Sequence, residues 1–317
     1  ELIVERMERL FGWKITSEDV LVVPGVIAGF NLAAQAILQQ GESIVIQPPI
    51  YPPFFGVAAN AGVTEVQCEL ENNGTGNYCI DFNRLEKALS GTSRMLLFCN
   101  PHNPVGKVYT RGELALIAKI CRKNDVYICS DEIHADLVYA GNHHVPIASI
   151  DAEVGQRTVT LIAPSKTYNI AGLDCSALIC ENAEVMKKIK QARRGIIGGV
   201  NLLGTTAAIA AYQHGQEWLD EIIVTLQDNR DFLCNFIQDK LPKIRIHTPQ
   251  ATYLAWLDCR ELKLGMEPYE FFLQNAKVAL NRGADFGGDG ISFVRLNFGC
   301  ERRVLEEALA RMVRAIK

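Results

Sequence analysis

Three short polar motifs of the sequence each follow a β-branched or apolar segment that is typical of a buried strand. In an open α/β sheet, ligands bind outside the carboxyl ends of the strands, so motifs in these places converge on one site. We therefore predict a single binding site built from all three. The motifs are Asn100–Gly106 (Asn-Pro-His-Asn-Pro-Val-Gly), Ser130–His134 (Ser-Asp-Glu-Ile-His) and Ala163–Lys166 (Ala-Pro-Ser-Lys).

Lys166 is the candidate nucleophile of this site. A lysine beside the end of a buried strand loses part of its hydration, which favours the neutral amine that forms a Schiff base with an aldehyde. The alternative interpretation is a surface lysine in a strand-to-helix loop, which is the commoner state of any single lysine. The residues that accompany Lys166 therefore decide between the two.

Asp131 and Asn103 have the side chains that a pyridine-ring cofactor needs. The Asp131 carboxylate could pair with a protonated ring nitrogen and keep the ring an electron sink, or it could simply cap a helical turn. Asn103 lies between Pro101 and Pro104, which restrict the loop and could hold the amide toward a ring hydroxyl. Ordinary turn chemistry is the alternative for Asn103.

Two further positions are candidate anion sites. The turn Pro24-Gly25 precedes a helix whose first free N–H groups come from about Val26 and Ile27, and such a helix N-terminus favours phosphate. Arg295 interrupts an apolar strand, and an inward-pointing guanidinium there would bind a substrate carboxylate through its forked donors. The alternative is an arginine on an edge strand whose head reaches water.

Strands alternate with helices over most of the chain, and this order predicts how the motifs are positioned. Alternation of this kind predicts a mostly parallel sheet covered by helices on both faces. The predicted strands are Val20–Val23, Ser43–Gln47, Val63–Glu69, Arg94–Cys99, Val126–Ser130, Thr158–Ala163 and Ser176–Cys180, and the predicted helices are Ile27–Gln40, Arg111–Lys123 and Ala183–Arg193.

The pattern changes after Pro242. Leu203–Leu241 reads as one long helix that leads into a smaller α+β unit, so we predict a large domain at residues 1–241 and a small one at 242–317. In the small unit the predicted strands are Ile244–Thr248, Tyr253–Asp258 and Ile291–Phe298, and the predicted helices are Pro268–Ala276 and Arg302–Ile316; glycine-rich turns are predicted at Thr75–Asn77 and Gly287–Gly290.

The composition excludes several classes of protein. Of the 317 residues, 48% are hydrophobic and 21% are charged, as in ordinary globular proteins, and a net charge of −4 predicts no nucleic-acid partner. No apolar run is long enough to cross a membrane, and we predict no metal site. The ten cysteines lie mostly in or beside apolar segments without any Cys-x-x-Cys, which predicts reduced thiols in a cytoplasmic protein.

In combination and in this order, the motifs resemble those of class I and II aminotransferases over nearly the whole chain. The second motif continues to Leu137 and the third as Ser165-Lys-Thr-Tyr-Asn-Ile-Ala-Gly-Leu173. The chain most resembles the branch of carbon–sulfur β-lyases of the cystathionine β-lyase type, which depend on pyridoxal 5′-phosphate (PLP). This resemblance implies an aspartate aminotransferase-like fold, with a large, mostly parallel α/β domain and a small α+β domain. It also implies PLP as cofactor and a homodimer with sites at the subunit interface.

The resemblance also implies a role for each matching residue. Lys166 would form the Schiff base and move protons, and Arg295 would bind the substrate carboxylate. Asp131 would bind the pyridine nitrogen, Asn103 would bind the ring hydroxyl, and Tyr51 would stack on the ring. The phosphate would be contacted by Val26, Ile27 and Ser165, and His134 would belong to the cofactor site.

The sequence departs from the usual aminotransferase pattern at several points. His134 stands where many aminotransferases have tyrosine, which favours the lyase branch, and Ala163 replaces a common serine. Asp174 stands where many have the arginine that binds phosphate, so the usual counter-charge is absent. Relatives usually carry a further segment before the residue corresponding to Glu1, including a tyrosine that reaches the neighbouring subunit's phosphate. We therefore expect the sequence to be a fragment.

The activity that the resemblance implies is an α,β-elimination from L-cystathionine or a related cysteine derivative, giving a thiol, pyruvate and ammonia. An aminotransferase for a neutral or aromatic amino acid is the alternative, because it would use the same lysine and aspartate. A non-catalytic PLP-binding sensor, or an inactive fragment of an enzyme, is a third interpretation. The requirement for an added keto acid distinguishes the first two.

Overall fold

Strands and helices alternate along the first part of the chain, as the sequence predicts. The computed structural model describes residues 1–72 and 78–316, so the predicted turn at Thr75–Asn77 lies outside the described residues. The strands are β1 Val20–Val23, β2 Ser43–Ile46, β3 Thr64–Gln67, β4 Glu71–Asn72, β5 Tyr78–Cys79, β6 Ser93–Cys99, β7 Tyr127–Asp131, β8 Thr158–Ile162, β9 Ser176–Ile179, β10 Arg245–Ile246, β11 Leu254–Asp258, β12 Asn281–Arg282 and β13 Phe293–Asn297. The helices are α1 Leu2–Phe11, α2 Val26–Ile37, α3 Val57–Ala61, α4 Phe82–Ala88, α5 Arg111–Lys123, α6 Ala152–Gly155, α7 Pro164–Thr167, α8 Ala183–Ala192, α9 Leu202–His214, α10 Gln216–Lys240, α11 Pro268–Phe271 and α12 Arg302–Ile316.

The large sheet has seven strands in the order β1-β9-β8-β7-β6-β2-β3. The pairs β3–β2, β2–β6, β6–β7 and β7–β8 are parallel, and only the pairs made by β9 are antiparallel, which confirms the predicted mostly parallel sheet. Strands β6, β7 and β8 are parallel neighbours, so their carboxyl ends lie at one edge. The three polar motifs follow those ends.

Helices cover both faces of this sheet. On one face α2 and α8 pack over a cluster that includes Phe30 and Leu161, and on the other face Leu114 and Ile117 of α5 are fully buried. Helix α2 lies so close to β8 that a Cβ on residue 29 would be 2.3 Å from a methyl group of Leu161. Glycine at this position therefore permits the close approach. Each such buried apolar side chain stabilises the fold by roughly 1.5–3 kcal/mol.

The second sheet has four antiparallel strands in the order β10-β11-β13-β12, and α10 and α12 pack against it. Strand β13, which carries Arg295, pairs with β11 on one side and β12 on the other. The alternative of an edge-strand arginine is therefore wrong. The strands and helices after Pro242 form a small α+β unit, as the sequence predicts.

The single long helix predicted for Leu203–Leu241 is wrong, because the chain forms two helices, α9 and α10, that meet at Gly215. Gly215 has φ −88° and ψ 4°, and a Cβ there would lie 2.6 Å from both the Ala211 carbonyl oxygen and the Tyr168 ring. Periodicity alone could not reveal this break, because apolar residues continue on both sides. A second difference is that the predicted helix Pro268–Ala276 ends as a π-helical turn.

Other expectations about the chain are met. All ten cysteines are free thiols, as predicted. Across residues 1–72 and 78–316, no helix is both long and apolar enough to pass through a bilayer.

Candidate active site

A cavity of ≈ 380 Å³ opens at the carboxyl edge of the large sheet, between that sheet and strand β13. Every site residue that the sequence analysis singled out contributes to its wall. These residues are Val26, Ile27, Tyr51, Asn103, Asp131, His134, Ser165, Lys166 and Arg295. The structure therefore brings together the whole predicted set, which comes from six separate parts of the chain.

Asp131 is the last residue of β7 and is 3% exposed. Its Oδ1 accepts the Ile133 backbone N–H at 3.2 Å, so the side chain does stabilise a turn, as the alternative interpretation held. Within the part of the chain that the structure describes, no cationic side chain forms an ion pair with it. The pKa of Asp131 is raised to about 7, mainly by burial; the Ile133 N–H and Lys166 act to lower this pKa and the nearby Glu132 acts to raise it. A carboxylate in this state favours a cationic partner.

Lys166 lies in the short helix α7, which begins at Pro164 directly after β8. Proline at the first helical position has no N–H to leave unpaired, so it starts the helix at the strand end. The Lys166 side chain is half-buried and forms no ion pair with any described residue. A free amine at the sheet edge is thus available to a carbonyl compound in the cavity.

Asn103 and Arg295 form one hydrogen-bonded unit across the cavity. Arg295 Nη1 donates to Asn103 Oδ1 at 2.9 Å, and Nη2 donates to Asn281 Oδ1 at 2.9 Å. The guanidinium carbon also lies 4.8 Å from the centre of the Phe286 ring. Burial lowers the pKa of Arg295, and the guanidinium remains charged at any ordinary pH. The Asn103 oxygen accepts from Arg295, and its amide N–H donors are left for a ligand.

The amino end of α2 faces the cavity through the turn at Gly25. Gly25 has φ +97°, a conformation that residues with a side chain strongly disfavour. Because glycine has no side chain, the N-terminus of α2 has no side-chain cap. The first N–H groups of α2, from Val26 and Ile27, therefore have no acceptor within the helix. Asp174 also lies in the cavity wall and is exposed, with φ +48°. Its negative charge opposes an anion here.

His134 lies three residues beyond Asp131 and is 3% exposed. Burial lowers the pKa of His134 to about 3, and Lys166 and Arg295 lower it too, so the imidazole is neutral. Its ring meets the Tyr253 ring edge to face, with 6.0 Å between centres. No described residue accepts or donates a hydrogen bond at Nδ1. His134 is thus a neutral wall of the cavity, not a cation.

Several lining residues were not found from the sequence. Tyr253 and Asn297 reach the cavity because β11 and β13 pair in a register that places Leu254 opposite Asn297, and single-strand patterns do not specify that register. The missed residues are Cys99, Ala171, Cys175, Ser176, Tyr253, Leu254 and Asn297.

Glu132, the neighbour of Asp131, points away from this cavity and is 1% exposed. Its Oε1 accepts the Ser130 hydroxyl at 2.8 Å and the Ile147 N–H at 3.2 Å. Its Oε2 lies 2.7 Å from His144 Nε2. Glu132 is therefore fully hydrogen-bonded within the protein, in contrast to Asp131.

The geometry describes an α/β protein with a buried carboxylate, a free lysine and an open helix N-terminus around one cavity, and known proteins are similar to it in sequence and fold. The sequence matches the family described as aminotransferase class I and II over residues 1–312. The chain belongs to this family. It is 37% identical over 313 residues to cystathionine beta-lyase PatB of Bacillus subtilis, which covers 98% of this chain and 81% of that protein.

Two solved structures are similar over the whole fold. Cystalysin from Treponema denticola, whose crystal structure contains a pyridoxal 5′-phosphate cofactor, has a TM-score of 0.95 and 34% identity, covering 99% of this chain and 80% of that chain. The crystal structure of OvoB has a TM-score of 0.95 and 41% identity, covering 100% of this chain and 82% of that chain. These similarities confirm the predicted fold class.

Proposed function

We propose that this protein is a PLP-dependent carbon–sulfur β-lyase that acts on L-cystathionine or a related cysteine derivative. The products are a thiol, pyruvate and ammonia. The observation that carries the proposal is the free Lys166 amine in one cavity with Asp131, a buried carboxylate that forms no ion pair with a cation among the described residues. The relatives named cystathionine beta-lyase and cystalysin support the lyase chemistry.

The cavity residues fit PLP, which is the cofactor. The open N-terminus of α2 suits its phosphate, Asp131 suits a protonated pyridine nitrogen, and the Lys166 amine suits its aldehyde. We propose further that the Asn103 amide contacts the ring hydroxyl, and that Tyr51 packs on the ring. Ser165 would add a phosphate contact. When bound, PLP supplies an electron sink for the charge that develops at the substrate Cα.

The chain's own residues would bind and deprotonate the substrate. Arg295, held by Asn103 and Asn281, would pair with the α-carboxylate and orient the amino acid. The Lys166 amine would take the Cα proton as general base. Asp131, as a carboxylate, would keep the pyridine nitrogen protonated through a preorganised ion pair. The C–S bond then breaks and the thiolate leaves with the bonding electrons, to be protonated as the thiol. Water then hydrolyses the released three-carbon enamine to pyruvate and ammonia.

His134 fits this proposal as a neutral, buried neighbour of Asp131. An imidazole with a pKa near 3 adds no positive charge next to the Asp131 carboxylate. On the side of His134, no positive charge therefore competes with the pyridine nitrogen for the Asp131 carboxylate. The same residue is the sequence feature that favours the lyase branch over the aminotransferases.

The proposal is tested by pyruvate release from L-cystathionine, with purified protein and PLP but no added keto acid. We expect sustained multiple turnover in the wild-type protein. Lys166→Ala should lose both pyruvate release and the visible absorbance of the lysine-bound cofactor. Turnover that starts only when a keto acid is added would identify an aminotransferase instead. Retained visible absorbance in Lys166→Ala would contradict the assignment of the lysine.

We propose two domains, at residues 1–241 and 242–317, and a cytoplasmic homodimer. The seven-stranded sheet lies within residues 1–241 and the four-stranded sheet within residues 242–317, and the free thiols fit a reducing compartment. Ile196, Leu202 and Leu203 are highly exposed, which is costly unless another surface covers them. Sedimentation of wild-type protein should give a dimer, and a Leu202→Asp, Leu203→Asp double variant should shift it toward monomer.

A further inference from the structure

A buried polar network reaches the residue that follows Lys166. Arg6 of α1 donates from Nη2 to Asp136 Oδ1 at 2.5 Å, and both side chains are largely buried. The second carboxylate oxygen, Oδ2, accepts the Thr167 hydroxyl at 3.0 Å. Thr167 is 1% exposed and is the last residue of α7. The network therefore joins α1, the loop after Asp131 and α7 at one carboxylate.

Helix α7 needs an external support. It has only four residues, and its closing backbone hydrogen bond runs from the Tyr168 N–H to the Pro164 carbonyl at 2.8 Å. One helical turn is too short to be stable by itself, so tertiary contacts must fix its orientation. The Asp136–Thr167 hydrogen bond is such a contact, at the residue next to Lys166.

Stability alone does not explain a buried ion pair at this position. Buried ion pairs often contribute no more stability than well-packed apolar side chains of the same volume, because both charges lose their hydration. The Arg6 guanidinium also lies 4.7 Å from the centre of the Tyr212 ring. What a carboxylate adds over an apolar side chain is a directed acceptor for the Thr167 hydroxyl.

We propose that Asp136 is a positioning residue for Lys166. Arg6 holds the carboxylate, the carboxylate holds Thr167, and Thr167 fixes the turn from which the Lys166 amine enters the cavity. None of the three lines the cavity wall, so they act through Lys166 and not on a ligand. The inference rests on the role of Lys166 in the proposed function.

Matched threonine variants test this inference. Thr167→Val keeps the shape of the side chain and removes the hydroxyl, whereas Thr167→Ser keeps the hydroxyl. Thr158→Val is the control, because the Thr158 hydroxyl is equally buried but donates to the Val154 carbonyl at the far end of β8. We expect kcat to fall by roughly 10- to 100-fold in Thr167→Val, with KM little changed, as for a misplaced catalytic group. Thr167→Ser should retain most of the wild-type kcat.

Two further measurements separate positioning from simple destabilisation. The pH at which the visible absorbance of the lysine-bound cofactor changes should shift in Thr167→Val and in Asp136→Asn, but not in Thr158→Val. Thermal unfolding of the PLP-free proteins should show similar losses for Thr167→Val and Thr158→Val. A Thr167→Val enzyme with wild-type kcat and an unshifted absorbance titration would overturn the inference. If wild-type protein itself forms no visible band with PLP, it is the proposed function that fails.

Discussion

The two sides of the end of β7 carry neighbouring carboxylates with opposite surroundings. Glu132 has three hydrogen-bond partners and no access to the cavity, and it ties the strand end to His144 and Ile147. Asp131 faces the cavity with a single backbone N–H as partner. Both are almost fully buried, so exposure does not distinguish them.

The difference shows that burial alone does not identify a functional carboxylate. A buried charge whose hydrogen bonds are complete stabilises the fold, whereas one that lacks a counter-charge destabilises it until a ligand supplies the charge. Glu132 is of the first kind and Asp131 is of the second. Removing each side chain should therefore affect different properties of the protein.

The largest expected effect is on catalysis in Asp131→Ala. Loss of the carboxylate removes the charge that would keep the pyridine nitrogen protonated, so we expect kcat to fall by about four powers of ten, or about 5.5 kcal/mol in activation free energy. Steady-state pyruvate release measures it. The folded PLP-free variant should be at least as stable as wild type, since an unpaired buried carboxylate is gone. A near-normal rate would make Asp131 merely structural.

Glu132→Ala should act on stability instead. The change leaves the Ser130 hydroxyl, the Ile147 N–H and the His144 ring without their acceptor in a buried place, so we expect about 3–5 kcal/mol less free energy of unfolding. Denaturant titration measures the loss. The kcat of the folded enzyme should change far less than in Asp131→Ala. Equal losses of kcat in both variants would erase the distinction between the two carboxylates.

The contribution of Asp131 to the pH dependence of stability should be visible in the comparison of wild type with Asp131→Asn, because groups such as His134 are common to both proteins. The Asp131 pKa of about 7 in the folded, PLP-free chain exceeds the ordinary value of 3.8, so the folded state holds the proton more tightly. Stability contributed this way is present below pH 4 and is lost as the pH rises through 7, by up to about 4 kcal/mol at 1.36 kcal/mol per pKa unit. The difference in unfolding free energy between wild type and Asp131→Asn, measured from pH 4 to 8, should fall accordingly. A flat difference would contradict the raised pKa.

The smallest expected effect is that of Ser130→Ala. This change removes one of the three hydrogen bonds to Glu132 and leaves the others, so we expect a loss of about 1.5 kcal/mol in unfolding free energy. Thermal unfolding monitored by circular dichroism is sensitive enough to detect it. Pyruvate release should be unchanged, because Ser130 does not line the cavity. A drop in turnover without a drop in stability would show that the two sides of the strand end are coupled.

Sequence patterns were sufficient to predict where the strands end and which motifs follow them. Strand β1 and helices α5 and α12 occupy the residues predicted for them, because apolar periodicity and caps such as the Thr110–Glu113 capping box are local signals. The convergence of Lys166, Asp131 and Asn103 followed from the rule that parallel strands share a carboxyl edge. Local order and topology thus explain most of the predicted site.

What the sequence could not provide depends on contacts between distant segments. The break at Gly215 lies against the Tyr168 ring, which is distant along the chain, and the place of Tyr253 in the cavity depends on the pairing of β11 with β13. The partners of Asp136 lie 130 and 31 residues away along the chain, so no local pattern marks that residue. The distinction between Asp131 and Glu132 likewise depends on which side of the strand each faces.

The close approach of Gly215 to Tyr168 makes two distant positions dependent on each other in any mutational survey. A methyl group at position 215 would collide with the aromatic ring that stands two residues after Lys166. Gly215→Ala should therefore be tolerated poorly, and a smaller side chain at position 168 should relieve the contact with the ring but not the contact with the Ala211 carbonyl oxygen. Sequence change at a junction between two surface helices is thus restricted in part by the residue that ends the lysine-bearing turn.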